Sequence, residues 1–192
     1  MKTLKNEDVK ASFFFTGDFI RSHSDLVKHL KASGHYVGPH SDKHLLYADW
    51  IKRDSTLVSK EDFIADLKNN YKALRLAGIS KSESSILLPP YEWYNDSIAV
   101  WANECGVKII NFTPGVISNA DYTTPSMGKQ YRSSEEIFNS IINFENKNGL
   151  NGANILIHIG TSPERTDKFY NKLAELIKVL KSKGYRFDLL KI

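Results

Sequence analysis

Two histidines four residues apart, His40 and His44, stand directly after Gly38-Pro39 in the run HYVGPHSDKH. A His-x-x-x-His spacing can present both imidazoles to one divalent ion if the backbone turns between them. Two surface histidines flanking a polar loop would give the same spacing, so their place in the fold has to decide. The pair cannot close a site alone, because a catalytic zinc takes three protein ligands plus water. A third histidine, His158, ends the apolar run NILIH. An imidazole there needs a partner if it is buried. It is either a satisfied core histidine or a group aimed into a site as general acid or electrophile. Pro89-Pro90-Tyr91 is a rigid extended turn, suited to presenting a backbone N–H, and the Tyr91 amide is a candidate oxyanion donor. His23, His29 and His35 have no partner pattern and read as structural or exposed.

The apolar pattern supplies elements to carry these groups. ASFFF (11–15), HYVG (35–38), SILL (85–88) and VKIINF (107–112) are short β-prone runs. NILIH (154–158) is nearly continuous and predicts a strand buried on both faces, and YRFDLL (185–190) predicts a closing strand. Helices are expected between them. Ser24 precedes Leu26, Val27 and Leu30; Ser59 and Asp62 open a stripe of Phe63, Leu67, Tyr71 and Leu74; Asn95 opens Ile98, Trp101 and Ala102. Ser133 and Glu136 cap Ile137, Ile141 and Phe144, and Phe169 to Leu180 repeats at helical spacing. Strand and helix alternate, which means a parallel sheet with crossover helices, open or closed into a barrel. Reactive groups in such folds gather at the carboxyl ends of the strands, where HSDKH, PPYEWYN, NFTPG and His158 all fall. Two irregular stretches, 39–58 and 113–132, exceed plain connections in length, and such loops are usually functional. Residues 1–10 look like the tail of a helix with no strand before it, so the chain is expected to begin in mid-unit.

Composition excludes several classes. A chain of 192 residues with 41% hydrophobic and 25% charged residues is ordinary for one globular domain, 1–192, with no internal boundary. The net charge of +4 is small and spread out, and no basic run is interleaved with aromatics, which argues against nucleic acid. No stretch reaches the ~18 apolar residues of a membrane span. The N-terminus lacks the apolar core of a signal peptide, so the chain reads as soluble, although a parent protein could be exported. Cys105 alone cannot form an intrachain disulfide and, on the apolar side of its helix, reads as a buried thiol.

At these residues the sequence resembles the polysaccharide deacetylases, a carbohydrate esterase family that includes chitin and peptidoglycan deacetylases. ASFFFTG, HYVGPHSDKH, LLPPYEWYN, ILIHIGT and LKSKGYRFDLL carry the resemblance, over nearly all of the chain. It implies a distorted (β/α) barrel, seven-stranded in the family, and metal-dependent hydrolysis of N- or O-acetyl groups on an acetylated polysaccharide or oligosaccharide. His40 and His44 would be ligands to a divalent metal, zinc first. Tyr91 would give the oxyanion donor, His158 would be the general acid, and Trp93 and Pro90 would contact substrate. The rim aromatics Trp50, Trp93, Tyr94 and Tyr122 could stack on sugar rings or wedge the long loops.

Two departures qualify the resemblance. The family's opening strand carries an aspartate pair, base and third ligand, and that strand is absent from this chain. Leu88 stands where the family has an arginine. Metal is therefore expected to bind weakly or not at all, and the missing strand would leave an edge open to pairing with a second copy. Asp42 and Glu92 are the nearest carboxylates that could substitute as ligands. A catalytically silent carbohydrate-binding or scaffold domain on the same fold is the rival expectation.

Overall fold

The run SFFF extends as β1 (Ser12–Phe15) and pairs in parallel with β2 (Tyr36–Pro39), Ser12 opposite Tyr36 and Phe15 opposite Pro39. β3 (Ile86–Leu87) and β4 (Lys108–Ile109) form a second parallel pair. Parallel neighbours require crossovers. α2 (Gly17–Ser22) and α3 (Ser24–Ala32) make the first, α4 (Lys60–Leu76) lies between β2 and β3, and α5 (Asp96–Glu104) joins β3 to β4. Helix starts are fixed by side-chain caps. Ser59 accepts the Asp62 N–H, Asn95 accepts the Ile98 N–H, and Ser133 with Glu136 closes a reciprocal box on α6 (Ser134–Asn148). α1 (Lys2–Asn6) and α7 (Leu173–Ser182) complete the set.

This computed structural model describes residues 1–190, which fall into two compact units. One is Lys10–Asn111 with the chain from Asp188 on; the other is Met1–Val9 with Phe112–Phe187. The first holds both parallel pairs over a core that includes Phe15, Ile20, Leu30, Phe63, Leu74 and Ile98. The second packs Val116, Ile137, Ile141, Phe169 and Leu176. Each such buried side chain contributes ~1.5–3 kcal/mol. Among the described residues no helix is long and apolar enough to cross a membrane.

In the first unit the two parallel pairs are stitched together by side chains. The Tyr36 hydroxyl sits between the N–H and C=O of Ile86, at 2.9 and 3.3 Å, and the Ser84 hydroxyl donates to the Val37 C=O at 2.8 Å. At the carboxyl end backbone meets backbone, the Leu88 N–H donating to Pro39 C=O at 3.2 Å. Gly38 lets the segments approach, since a Cβ there would meet Phe14 Cε1 at 2.7 Å and the Ile86 oxygen at 2.9 Å.

Two expected strands are not formed. Residues 154–158 carry no ladder and are half-buried. The Asn154 N–H goes to the Thr113 hydroxyl and the His158 N–H to the Asp121 carboxylate, so side chains take these two N–H groups, while the Asn154 C=O accepts the Thr113 backbone N–H at 3.0 Å. Ile155 and Ile157 pack on the second unit's core, which makes the run one-sided rather than buried on both faces. Residues 185–190 are also without ladder pairing, although the Leu190 N–H reaches the Ser12 hydroxyl at 3.3 Å. Cys105 is half-buried and packs against the first core.

Candidate functional site

His40 emerges at the carboxyl end of β2, its N–H still donating to the Phe15 C=O at 3.1 Å. Its Nδ1 lies 2.8 Å from the Leu88 carbonyl oxygen. A carbonyl only accepts, so Nδ1 carries the proton and the lone pair of the neutral ring lies on Nε2, the arrangement seen in metal-ligating imidazoles. The His44 ring stands 5.0 Å from that of His40, inclined at 64°. Tyr91 meets His44 at 4.5 Å and 64°. The structure thus brings three of the residues singled out in the sequence, from two separate loops, into one cluster of rings.

The histidine loop is fixed from below by α4. Asp66 accepts the Asp42 and Lys43 N–H groups at 2.8 and 3.0 Å, and Asn70 donates to the carbonyls of Ser41 and Phe15 at 2.7 and 3.1 Å. Four residues apart, these side chains share one buried face of the helix. Arg21 closes the other side, its guanidinium reaching Asp42 Oδ1 at 2.7 Å and Oδ2 at 3.2 Å. Asp42 first, then Asp18, raise the pKa of Arg21, and Lys43 and Arg21 in that order lower that of Asp18. Sequence reasoning missed Asp66, Asn70 and Arg21.

Backbone strain concentrates in the same two loops. Five residues other than glycine have positive φ among those described, and four of them are Ser41, His44, Tyr91 and Glu92, at 66°, 56°, 59° and 53°. Each costs of order 1–3 kcal/mol, which the surrounding bonds must offset. Tyr91 lies in a single 3-10 turn, Pro90–Glu92, held by the Glu92 N–H to Pro89 C=O bond at 3.0 Å. Pro90 is buried and shapes that turn.

Aromatics extend the cluster. Trp50 meets Tyr91 at 5.6 Å, edge to face, and stacks on Trp93 at 5.6 Å. The Arg53 guanidinium lies 4.3 Å over the Trp93 ring.

In the second unit, His158 is held by a buried carboxylate. Asp121 accepts the His158 N–H at Oδ2 and faces its Nδ1 with Oδ1, both at 2.7 Å. The carboxylate therefore fixes the proton on Nδ1 and orients the ring, and Tyr122 touches it edge-on at 6.0 Å. Nearby, the buried Arg165 guanidinium anchors the loop by donating to the Thr123 and Arg132 carbonyls at 2.6 and 3.0 Å.

His40 and His44 supply two donors, one short of a catalytic zinc set. Among the described residues no group of three or more His, Cys, Asp or Glu side chains could hold a metal ion. Asp42 is committed to Arg21, which removes it as a substitute ligand. Among the described residues, His40 and His44 are therefore the two donors from this chain that a divalent metal could use, and a complete set would need a further ligand.

The family description "Polysaccharide deacetylase" matches residues 1–110, more than half of the sequence, and the chain belongs to that family. A peptidoglycan-N-acetylglucosamine deacetylase of Bacillus cereus is 26% identical over 191 residues, covering 98% of this chain and 62% of its own length. The chain thus spans about three fifths of that relative. The crystal structure of a peptidoglycan N-acetylglucosamine deacetylase superposes with a TM-score of 0.77 at 24% identity, over 98% of this chain and 77% of the other. A family pseudoenzyme from Bacillus anthracis superposes with a TM-score of 0.67 at 18% identity, over 98% and 57%. The latter two show likeness of fold. A family 4 acetyl xylan esterase from Clostridium thermocellum, solved in complex with a cobalt ion, superposes with a TM-score of 0.68 at 19% identity, over 98% of this chain and 78% of the other.

Proposed function

We propose that the chain is the deacetylase domain of a carbohydrate esterase that removes N- or O-acetyl groups from a polysaccharide, with His40 and His44 as ligands to a divalent metal such as zinc. The observation that carries this reading is the His40–His44 ring pair on a strained loop, with the Nδ1 of His40 fixed by Leu88. The family and the peptidoglycan-deacetylase relatives support it. When bound, such a metal would polarise the acetyl carbonyl and activate water. The Tyr91 amide would donate to the developing oxyanion. His158, as an imidazolium with its Nδ1–H kept on Asp121, would deliver its Nε2 proton to the departing sugar amine or alkoxide and be left neutral. Pro90 sets the turn that aims the Tyr91 amide, and Trp93 supports the substrate side. The strand pairs are read as arcs of the family's distorted barrel.

A silent domain on the same fold is the second reading, favoured by Leu88 in the arginine position and by the incomplete donor set. Acetate release from a β-1,4-linked N-acetylglucosamine pentamer with added zinc or cobalt, beside metal content by elemental analysis, separates the two. We expect release and metal content to fall together in His40→Ala and His44→Ala. Metal retained by both variants, with release unchanged, would sink the ligand assignment. No release by the parent chain at any metal concentration would favour the silent domain.

A further inference from the structure

The loop from Tyr47 to Leu57 holds an indole in water on an unusually well-tied mount. Ala48 and Thr56 form an antiparallel bridge, and the Leu57 N–H donates to the Tyr47 C=O at 2.9 Å. The Asp49 N–H donates to the Ser55 C=O at 2.9 Å, while its carboxylate accepts the Ile51 and Lys52 N–H groups, both at 2.7 Å. Asn95 ties the Thr56 hydroxyl from α5 at 2.8 Å. Trp50, near the tip, is 55% exposed. It stacks on Trp93 at 28°, and Trp93 is itself fixed by Arg53 and by its indole N–H, which donates to the Asp49 C=O at 3.1 Å.

A large apolar ring left half in water forgoes part of the stabilisation that burial would give it. Holding it in one orientation before a ligand arrives lowers the ordering cost of binding. We infer that Trp50 is a preformed stacking platform for a pyranose ring of a glycan chain, whose neighbouring sugars run over Tyr91 toward His44. The C–H face of a pyranose suits an indole. Trp93 is the mount, because Arg53 and Trp50 already lie against it. Continuity through Tyr91 to His44 ties the platform to the candidate site. The same loop exposes Ile51 and Leu57, at 94% and 50%, which a membrane surface could also use. The ring-to-ring path to His44 favours the glycan. This inference rests on the reading of the histidine loop as the reacting end.

The test is calorimetric titration of the pentamer, and of monomeric N-acetylglucosamine, into the unaltered chain, Trp50→Ala and Trp50→Phe, with folding checked by circular dichroism. Pentamer affinity is expected to drop ~10-fold or more in Trp50→Ala and to return within ~3-fold in Trp50→Phe, with the monomer little affected. Equal pentamer affinity in Trp50→Ala overturns the inference, as does an unaltered chain that does not bind the pentamer. Trp50-dependent sedimentation with phosphatidylcholine–phosphatidylglycerol vesicles, without Trp50-dependent pentamer binding, also overturns it. Pentamer binding that depends on Trp50 but releases no acetate sustains the platform and removes the proposed reaction.

Discussion

Gly17 and Asp42 are packed so closely that a Cβ on the glycine would lie 1.7 Å from Oδ1 of the aspartate. The carboxylate occupies the space a side chain would need, and from there it holds Arg21. Gly17→Ala must therefore push Asp42 off the guanidinium or move the helix. We expect a loss of ~1–3 kcal/mol in urea unfolding, in the range of overpacked cores. A change within ~0.3 kcal/mol would mean that the contact relaxes without cost.

Asn70 offers its amide N–H groups to two carbonyl oxygens, of Phe15 and Ser41, and is fully buried. Asn70→Asp replaces a donor by an acceptor against both. It should cost ~3 kcal/mol or more, exceeding Asn70→Ala, since a buried charge adds to the lost bonds. Denaturation midpoints that rank the two variants the other way would contradict this account of the histidine loop's support.

Asp121 accepts twice from His158, and an alanine would leave a half-buried N–H and a ring without orientation. Asp121→Ala should lower stability by ~1–3 kcal/mol. On the proposed reaction, acetate release should fall ~10-fold or more in Asp121→Ala and ~100-fold or more in His158→Ala. Thermal melts and release rates on both variants decide. Rates left intact in both would remove His158 from the chemistry.

His35 accepts the Ala11 N–H at Nδ1, and burial first, then nearby Lys10, lowers its pKa from the ordinary 6.5. The unfolded chain therefore takes up a proton before the folded one as pH falls. Stability attached to this group is complete above 6.5 and is lost as pH drops below that value toward the folded pKa. His35→Asn keeps an acceptor for Ala11 without titrating. Unfolding free energies measured from pH 7.5 to 5 should slope less steeply in that variant, and identical slopes would refute the assignment.

Much of the scaffold could be read from the residues. Ser59, Asn95 and the Ser133–Glu136 box announced their helices, because a cap is a local interaction within one turn. α2, six residues long, is too short to show a period. NILIH misled because an apolar run does not say what its N–H groups meet, and two of them meet side chains far along the chain. The support of the site was half legible. Asp66 and Asn70 interrupt the apolar stripe of α4 at core positions beside Leu67 and Tyr71, an anomaly visible in sequence. Asp121 and His158 lie 37 positions apart with no periodicity linking them, so only folding reveals the pair.

The positive φ angles at Ser41, His44, Tyr91 and Glu92 set folding energy against side-chain identity. Glycine would adopt those angles with little penalty, so at each position the residue best for the backbone is the one with no chemistry. A screen for heat tolerance alone would drift toward glycine there and would erase an imidazole and a phenol while improving the fold. Stabilised descendants of this chain should be checked at these four positions first, because a gain in melting temperature can be a record of what the loops have stopped being able to do.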